Sequence, residues 1–346
     1  MNKEFLKELL LTPSVSGYEE PLQKKALAFG KEFAHEQITD SVGNAITVVN
    51  PEAACKVLLC GHADEIGFIV THVQENGMVR LSKSGGVRSG LYVGAPMQII
   101  HEGKKVEGVI ATYDELVKKG DVDVKDLILD IGADSKEEAL KYVAVGDPVC
   151  ADTTVHDLVG DKVSGRGLDD RSGAFIVLEA AKYAAAKGAS CGIYAATTVG
   201  EETTGRGAFY AAGRVKPTCC IAVDVTWASD APGTDAASSG DIHLGKGPVL
   251  CMSSLVNKKM NALLKKVAEE NDIPVQWEVA AGRTFTDGDT VNLSGIGVPT
   301  ALISIPLRYM HSSVEIASWQ DIEKCIQLLG EFLLRMNEEF DYCPID

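Results

Sequence analysis

Between Phe68 and Val159 the chain carries only short Val- and Ile-rich pieces, such as Met97–His101 and Lys105–Ala111, separated by glycine-rich or charged turns and without a long amphipathic helix. On either side of that stretch, strand-like and helix-like segments alternate. The two textures do not belong to one layered unit, so the middle stretch reads as an all-β module inserted into an α/β domain. The chain therefore divides into residues 1–67, the first part of the α/β domain, 68–159, the β-rich insert, and 160–346, the second part. Both outer parts are needed for one sheet, and a cut near residue 160 would leave no intact α/β unit. Within the insert, Glu102-Gly103-Lys104 is a hairpin signal between two strand-like runs.

Outside the insert, apolar residues at helical spacing in 3–10 and 19–34 predict two opening helices, with Pro13 and Gly17 punctuating the gap. Ile46–Val49 and Lys56–Cys60 read as strands, the second running into Gly61-His62-Ala63-Asp64-Glu65-Ile66-Gly67. After Gly165 the pattern predicts a helix at Ser172–Lys187, a strand at Gly192–Thr198, a short helix at Gly205–Ala212 and a strand at Cys219–Val223. An amphipathic helix at Ser254–Asn271, a strand at Thr300–Ile305 and a last helix at Gln320–Met336 complete the layer.

At 346 residues and 45% apolar content, the chain can bury one large core and a smaller one. Its 33 Lys plus Arg against 49 Asp plus Glu give a formal charge of -16, with no basic stripe to offset it locally. Such a surface repels phosphate, which argues against nucleic-acid and anionic-membrane partners and in favour of a cationic partner or bound metal. No run of 18 apolar residues occurs, and the segment Met1–Phe5 leads into acidic and polar positions, so the expected location is cytoplasmic. The 9 cysteines are odd in number and lack zinc-ribbon or redox spacing, which predicts reduced, buried thiols.

The chemistry is carried by position. His62, Glu201 with Glu202, Asp224 and His311 each follow the end of a predicted strand, and such ends share one edge of an open α/β sheet, where ligands bind. Asp169-Asp170-Arg171 lies where the insert gives way to a helix. A lone histidine is ordinarily structural and a lone Glu-Glu pair ordinarily faces solvent, so the joint pattern carries the inference. Two imidazoles with several carboxylates suit a pair of zinc, cobalt or manganese ions, because these accept mixed nitrogen and oxygen ligands and a carboxylate can bridge them. Asp169, Glu202 and Asp224 with one bridging hydroxide balance two divalent ions, leaving Glu201 as an additional nearby charge. Asp64, two residues after His62, can accept the proton of the ring's other nitrogen.

His35, His72, His101, His156 and His243 lack such placement and read as structural or surface residues. Gly85-Gly86, Gly165 and Gly205-Arg206-Gly207 read as turns or tight helix starts, since neither a full Gly-x-Gly-x-x-Gly nor a Walker lysine is present. A Gly-x-Ser-x-Gly elbow is absent too, so covalent acyl transfer has no support.

Pro13-Ser14-Val15-Ser16-Gly17-Tyr18-Glu19, the Gly61–Gly67 segment, Leu168-Asp169-Asp170-Arg171-Ser172-Gly173, Gly200-Glu201-Glu202, Asp224-Val225-Thr226 and Tyr309-Met310-His311-Ser312-Ser313-Val314-Glu315 together resemble the family 42 metallo-aminopeptidases, the tetrahedral aminopeptidases. The likeness covers nearly the whole chain. It implies a mixed-sheet, layered metallopeptidase domain interrupted by a PDZ-like all-β domain used in assembly and substrate access. It also implies a homo-oligomer, up to a hollow tetrahedral dodecamer. By the same resemblance His62 and Asp224 would complete one metal position, Glu202 and His311 the other, and Asp169 would bridge them. Glu201 would be the general base, Asp64 would support His62, and Asp170 and Arg171 would fix the bridging loop. The implied cofactors are two zinc or cobalt ions, with manganese as an alternative, and the substrates are short peptides with a free N-terminus.

Two stretches depart from the family pattern. Gly282–Thr290 stands where many relatives carry Gly-Gly-Thr-Asp-Ala, and Thr203-Thr204-Gly205-Arg206-Gly207 stands where relatives often carry Val-Gly-Leu-Arg-Gly. A relative's pocket geometry and substrate preference therefore do not transfer. Other dinuclear amide hydrolases, carboxypeptidases or deacylases, could use the same ligands. A glycosidase fits less well, because 6% aromatic content is modest for a long sugar groove. A non-catalytic peptide-binding protein would leave the base without a purpose.

Overall fold

The computed structural model describes residues 1–345. Its α/β part is built on an eight-stranded sheet whose four central strands, Gly192–Thr198, Lys56–His62, Cys219–Trp227 and Thr300–Leu307, run parallel. These strands are buried almost throughout, which is why they read as continuous apolar runs rather than alternating ones. Ala45–Val49 and then Glu36–Thr39 extend one side antiparallel. On the other side Val249–Ser253 joins antiparallel to Thr300–Leu307, and Gln276–Ala280 forms the edge.

One face of the sheet packs against the helices Lys3–Leu11, Leu168–Ala186, Lys258–Glu270 and Trp319–Leu333 in the largest core. Lys258–Glu270 shows why such a segment settles there. Asn257 accepts hydrogen bonds from the Lys259 and Met260 N–H groups at its start, and Met260, Leu264, Val267 and Ala268 form one buried stripe. On the opposite face, Arg206–Val215 and Asp287–Val291 cover Ile46, Leu58, Cys60 and Ala196 in a smaller core.

The strands between Gly67 and Ala151 close into a six-stranded antiparallel barrel with its own core of Phe68, Val70, Met97, Ile99, Leu129 and Val149. Helix appears there only as short turns, Asp114–Val117 and Lys136–Ala139 among them. The hairpin Pro96–His101 with Lys104–Ile110 turns on Glu102 (φ 47) and Gly103 (φ 76), and this pair of positive φ angles matches the twist of the two strands. Beyond the barrel, His156–Leu158 and Lys162–Gly165 form a hairpin that pairs with Glu315–Ser318. The chain leaving the barrel is thereby tied to the segment that follows His311.

The predicted helices and strands outside the insert all form, with shifted limits. Two shifts matter for the site. The strand expected at Cys219–Val223 continues to Trp227, so Asp224 lies within a strand rather than beyond one. The helix expected from Ser172 begins at Leu168, although Asp169 (φ -81, ψ 106) and Asp170 (φ -122, ψ 40) are not helical. Glu36–Thr39, Val249–Ser253, Gln276–Ala280 and Glu315–Ser318 are strands that the sequence pattern did not reveal. The cysteines are free thiols, buried except for Cys343. Among the described residues no helix is long and apolar enough to cross a membrane.

Candidate metal centre

The four parallel strands end on one edge and deliver most of the candidate residues. Lys56–His62 ends in His62 itself, and Gly192–Thr198 is followed by a turn at Gly200 (φ 65) that presents Glu201 and Glu202. Cys219–Trp227 carries Asp224, and the loop after Thr300–Leu307 carries His311. Asp169 arrives from the start of Leu168–Ala186, which lies tight against the strand beneath it. A Cβ at Gly61 would sit 2.4 Å from the Gly173 carbonyl carbon, so glycine at 61 is what allows the helix to approach.

Asp169 stands between the two imidazoles. Its Oδ1 is 3.2 Å from His62 Nε2, and its Oδ2 is 3.2 Å from His311 Nε2. His311 Nε2 is also 3.6 Å from Glu202 Oε2, and His62 Nε2 is 3.8 Å from Glu201 Oε2. Ligand-type atoms of His62, Asp169 and Glu202 lie within 4.8 Å of one another, as do those of His62, Asp170 and Asp224. A carboxylate that points one oxygen at each imidazole has the arrangement of a bridge between two cations. Asp170, left outside the ligand set by sequence, falls in the second group. Its oxygens accept hydrogen bonds from the His62 N–H at 3.1 Å and the Gly173 N–H at 2.9 Å, bracing the strand end against the helix start.

Asp64 ties several of these groups together. His62 Nδ1 lies 3.1 Å from the Asp64 carbonyl oxygen and 3.5 Å from Asp64 Oδ1, which turns Nε2 toward Asp169. Asp64 also accepts from the Glu201 N–H at 3.0 Å, the Glu202 N–H at 3.3 Å and the Ser16 hydroxyl at 2.6 Å. One carboxylate thus sets both the ring and the Glu-Glu turn.

Sequence reasoning gave no role to Glu315 or Gly86. Glu315 accepts from the His311 N–H at 2.9 Å and the Asp169 N–H at 3.2 Å, holding two candidate ligands from one side chain. His311 has φ 62, a left-handed conformation that costs a non-glycine residue about 1–3 kcal/mol, and the Glu315 hydrogen bond helps to hold it there. A Cβ at Gly86 would lie 2.6 Å from His311 Nδ1, so a barrel turn rests directly on that ring. Gly85-Gly86 was the available signal, and it reads only as a turn until the close approach is seen. His101 pairs with Asp147 at 2.9 Å and His243 with Asp241 at 2.8 Å, both away from this cluster.

A profile of the M42 glutamyl aminopeptidase family matches residues 43–328. The chain belongs to this family. It is therefore an enzyme of the aminopeptidase class, and its mixed α/β fold with a separate all-β barrel is that of its M42 relatives. It is 31% identical over 354 aligned residues to the lysyl aminopeptidase of Pyrococcus furiosus, covering 99% of each chain. The TET aminopeptidase of a marine sediment archaeon of the Thaumarchaeota superposes with a TM-score of 0.91 at 29% identity, covering 97% of each chain. The Pyrococcus horikoshii TET1 peptidase, which can assemble into a tetrahedron or a large octahedral shell, superposes with a TM-score of 0.86 at 32% identity, covering 96% of this chain and 99% of that one.

In this M42 chain the crevice concentrates negative charge. Burial raises the Asp170, Glu201, Glu202 and Asp224 carboxyls well above their ordinary range, and neighbouring carboxylates add to the effect. Asp169 is the exception. Burial would raise it too, but the two imidazoles on its oxygens hold it well below the usual range. Glu202 Oε1 is buried without a hydrogen-bond partner, and so is Asp287 Oδ1. An orphaned carboxylate oxygen inside a surplus of carboxylates, with two imidazoles beside it, fits divalent cations that take oxygen and nitrogen donors. The centre opens into a cavity of about 690 Å³ that His62, Asp169, Glu201, Glu202, Asp224 and His311 all line.

Proposed function

We propose that this protein removes the N-terminal residue from short peptides at a dinuclear metal centre. His62 and Asp224 would hold one ion, Glu202 and His311 the other, and Asp169 would bridge them. The observation that carries the reading is the Asp169 carboxylate, with one oxygen 3.2 Å from each imidazole. Zinc or cobalt, with manganese as the alternative, would polarise the scissile carbonyl and make water acidic enough to act at neutral pH.

The chain's own groups do the rest. Glu201 is partly open to the cavity and reaches toward His62, where it would take a proton from water and return it to the departing amine. Asp64 holds the Glu201 backbone and the His62 ring, so base and ligand move as one unit. The surplus carboxylates favour a substrate that enters with a charged α-ammonium, which separates this reading from a carboxypeptidase or deacylase.

The division 1–67, 68–159 and 160–346, with the barrel serving assembly and substrate access, belongs to the same proposal. So do a cytoplasmic location and a homo-oligomer, up to a tetrahedral dodecamer, the last supported by the shells of the P. horikoshii relative. The test is a set of short peptides offered to the metal-loaded protein with free and with acetylated N-termini. Cleavage of the free forms alone is expected, and equal cleavage of both would overturn the assignment.

A further inference from the structure

The cavity that holds the metal centre also receives a buried carboxylate from the edge strand of the sheet. Glu278, in Gln276–Ala280, is 9% exposed and lines the same cavity as the metal centre. Its Oε1 accepts from the Ser304 hydroxyl at 2.7 Å and its Oε2 from the Thr226 hydroxyl at 2.5 Å. Ser304 stands opposite Asp224 in the parallel register, and Thr226 lies two residues beyond Asp224 on the same face of the sheet. The Glu278 carboxylate is thus bound to the immediate neighbours of a candidate metal ligand.

The Glu278 side chain is held by two neutral hydroxyls, among the described residues no cationic side chain pairs with it, and burial raises its carboxyl above the ordinary range. A cation entering the cavity would offset the cost of burial and favour the ionised form of this carboxyl. The positive group at the cavity, Arg283, is already engaged at the rim. Its Nε is 3.2 Å from Asp289 Oδ2, its guanidinium lies over the Phe285 ring, and its side chain is 72% exposed. Leu302 and Met310, also lining the cavity, offer apolar surface for an aliphatic stem.

We infer that Glu278 selects substrates whose first residue ends in a positive charge, lysine above all. The inference rests on the aminopeptidase reading and deepens it. Family membership does not make the choice, since the family is described as glutamyl and the P. furiosus relative as lysyl, which are opposite charges.

The test uses the metal-loaded, full-length protein and tripeptides X-Ala-Ala, with X as lysine, norleucine, leucine or glutamate. Norleucine keeps the lysine stem and lacks the charge, so the Lys/norleucine ratio of kcat/KM isolates the Glu278 contact. A ratio of about tenfold or more is expected for the wild type, as for a hydrogen bond to a charged group, and it should fall close to one in Glu278→Gln. Because the ratio is taken within one variant, partial misfolding or metal loss cancels. A wild-type ratio near one, a preference for glutamate, or a ratio that survives Glu278→Gln would each overturn the inference while leaving the aminopeptidase reading in place. Failure of the metal-loaded protein to cleave any of the four peptides would overturn both.

Discussion

Glu65 and Asp224 are both buried, yet their surroundings treat negative charge in opposite ways. Burial would raise the Glu65 carboxyl, but the guanidiniums of Arg166 and Arg171 outweigh it and hold the group down at about 2. Arg171 Nη2 lies 2.5 Å from Glu65 Oε1 and 2.8 Å from the Ser14 hydroxyl, and the Ser14 N–H reaches Glu65 at 3.0 Å. Glu65 therefore sits in a network that brings its own cations. By contrast, Asp169, Asp170, Glu201, Glu202 and Asp224 crowd a crevice where, among the described residues, two imidazoles are the basic groups within reach. Burial alone does not tell scaffold from site. The crowding of several carboxylates around a cavity without a guanidinium or ammonium among them does, and the proposed metal centre lies in that region.

The two regions are also joined. Arg171 stands two residues after Asp169, so the Glu65 cluster with its two guanidiniums anchors the loop that carries the proposed bridge. Ser14 supports Glu65 and Ser16 supports Asp64, which gives the Pro13–Glu19 motif a physical reason although it contributes no candidate ligand.

Breaking the scaffold should have the largest effect. Glu65→Gln leaves two buried guanidiniums without their carboxylate and should cost about 3–5 kcal/mol of stability, read by urea unfolding of the metal-loaded protein. A loss below about 1 kcal/mol would mean that the network does not carry the load assigned to it. In the crevice, Glu201→Gln should keep its metal content but lose turnover roughly 100-fold or more. Near-normal turnover would remove Glu201 from the role of base.

The pH dependence of stability should separate the regions by sign. The Glu65 carboxyl is depressed in the folded state, so its contribution is complete above about pH 4.5 and is lost as pH falls toward 2. Asp287 lies near the crevice and burial pushes it up to about 6 from an ordinary 3.8, so its contribution is present below about pH 4 and is lost as pH rises through 6. The raised carboxyls of Asp224, Glu201 and Glu202 extend that decline to higher pH. Metal-free protein should therefore lose stability as pH rises from about 4 to 7, and metal loading should make the decline shallower by removing the part that the ligands contribute. A flat metal-free profile would contradict a surplus of charge in the crevice. The smallest effect sharpens the same contrast. Asp224→Asn in metal-free protein should raise the melting temperature by about 2–4 °C, because it removes one uncompensated carboxylate. A fall in melting temperature would place Asp224 in the scaffold instead.

Much of this organisation was legible in the sequence because the central strands are apolar on both faces and the candidate ligands follow or lie close to their C-terminal ends. Gln276–Ala280 was not, since an edge strand with half-exposed positions has neither a continuous apolar run nor a clean alternation. Glu278, on that strand, was hidden with it. Asp224 reads as lying beyond its strand because a carboxylate inside a parallel strand looks like its end. The Glu315 contacts and the Gly86 approach depend on how distant segments meet, and local pattern carries no record of that. The close pairing of Asp170 with Asp224 and His62 has the same origin.

The central claim is that the crevice takes two divalent cations per chain and works only when both are present. Titrating metal-free protein with zinc or cobalt, while following binding calorimetrically and cleavage of an unblocked tripeptide in parallel, tests it directly. The account predicts two equivalents per chain, proton release on binding, and turnover that appears as the second site fills. Full turnover at one equivalent, or in the absence of metal, would contradict it.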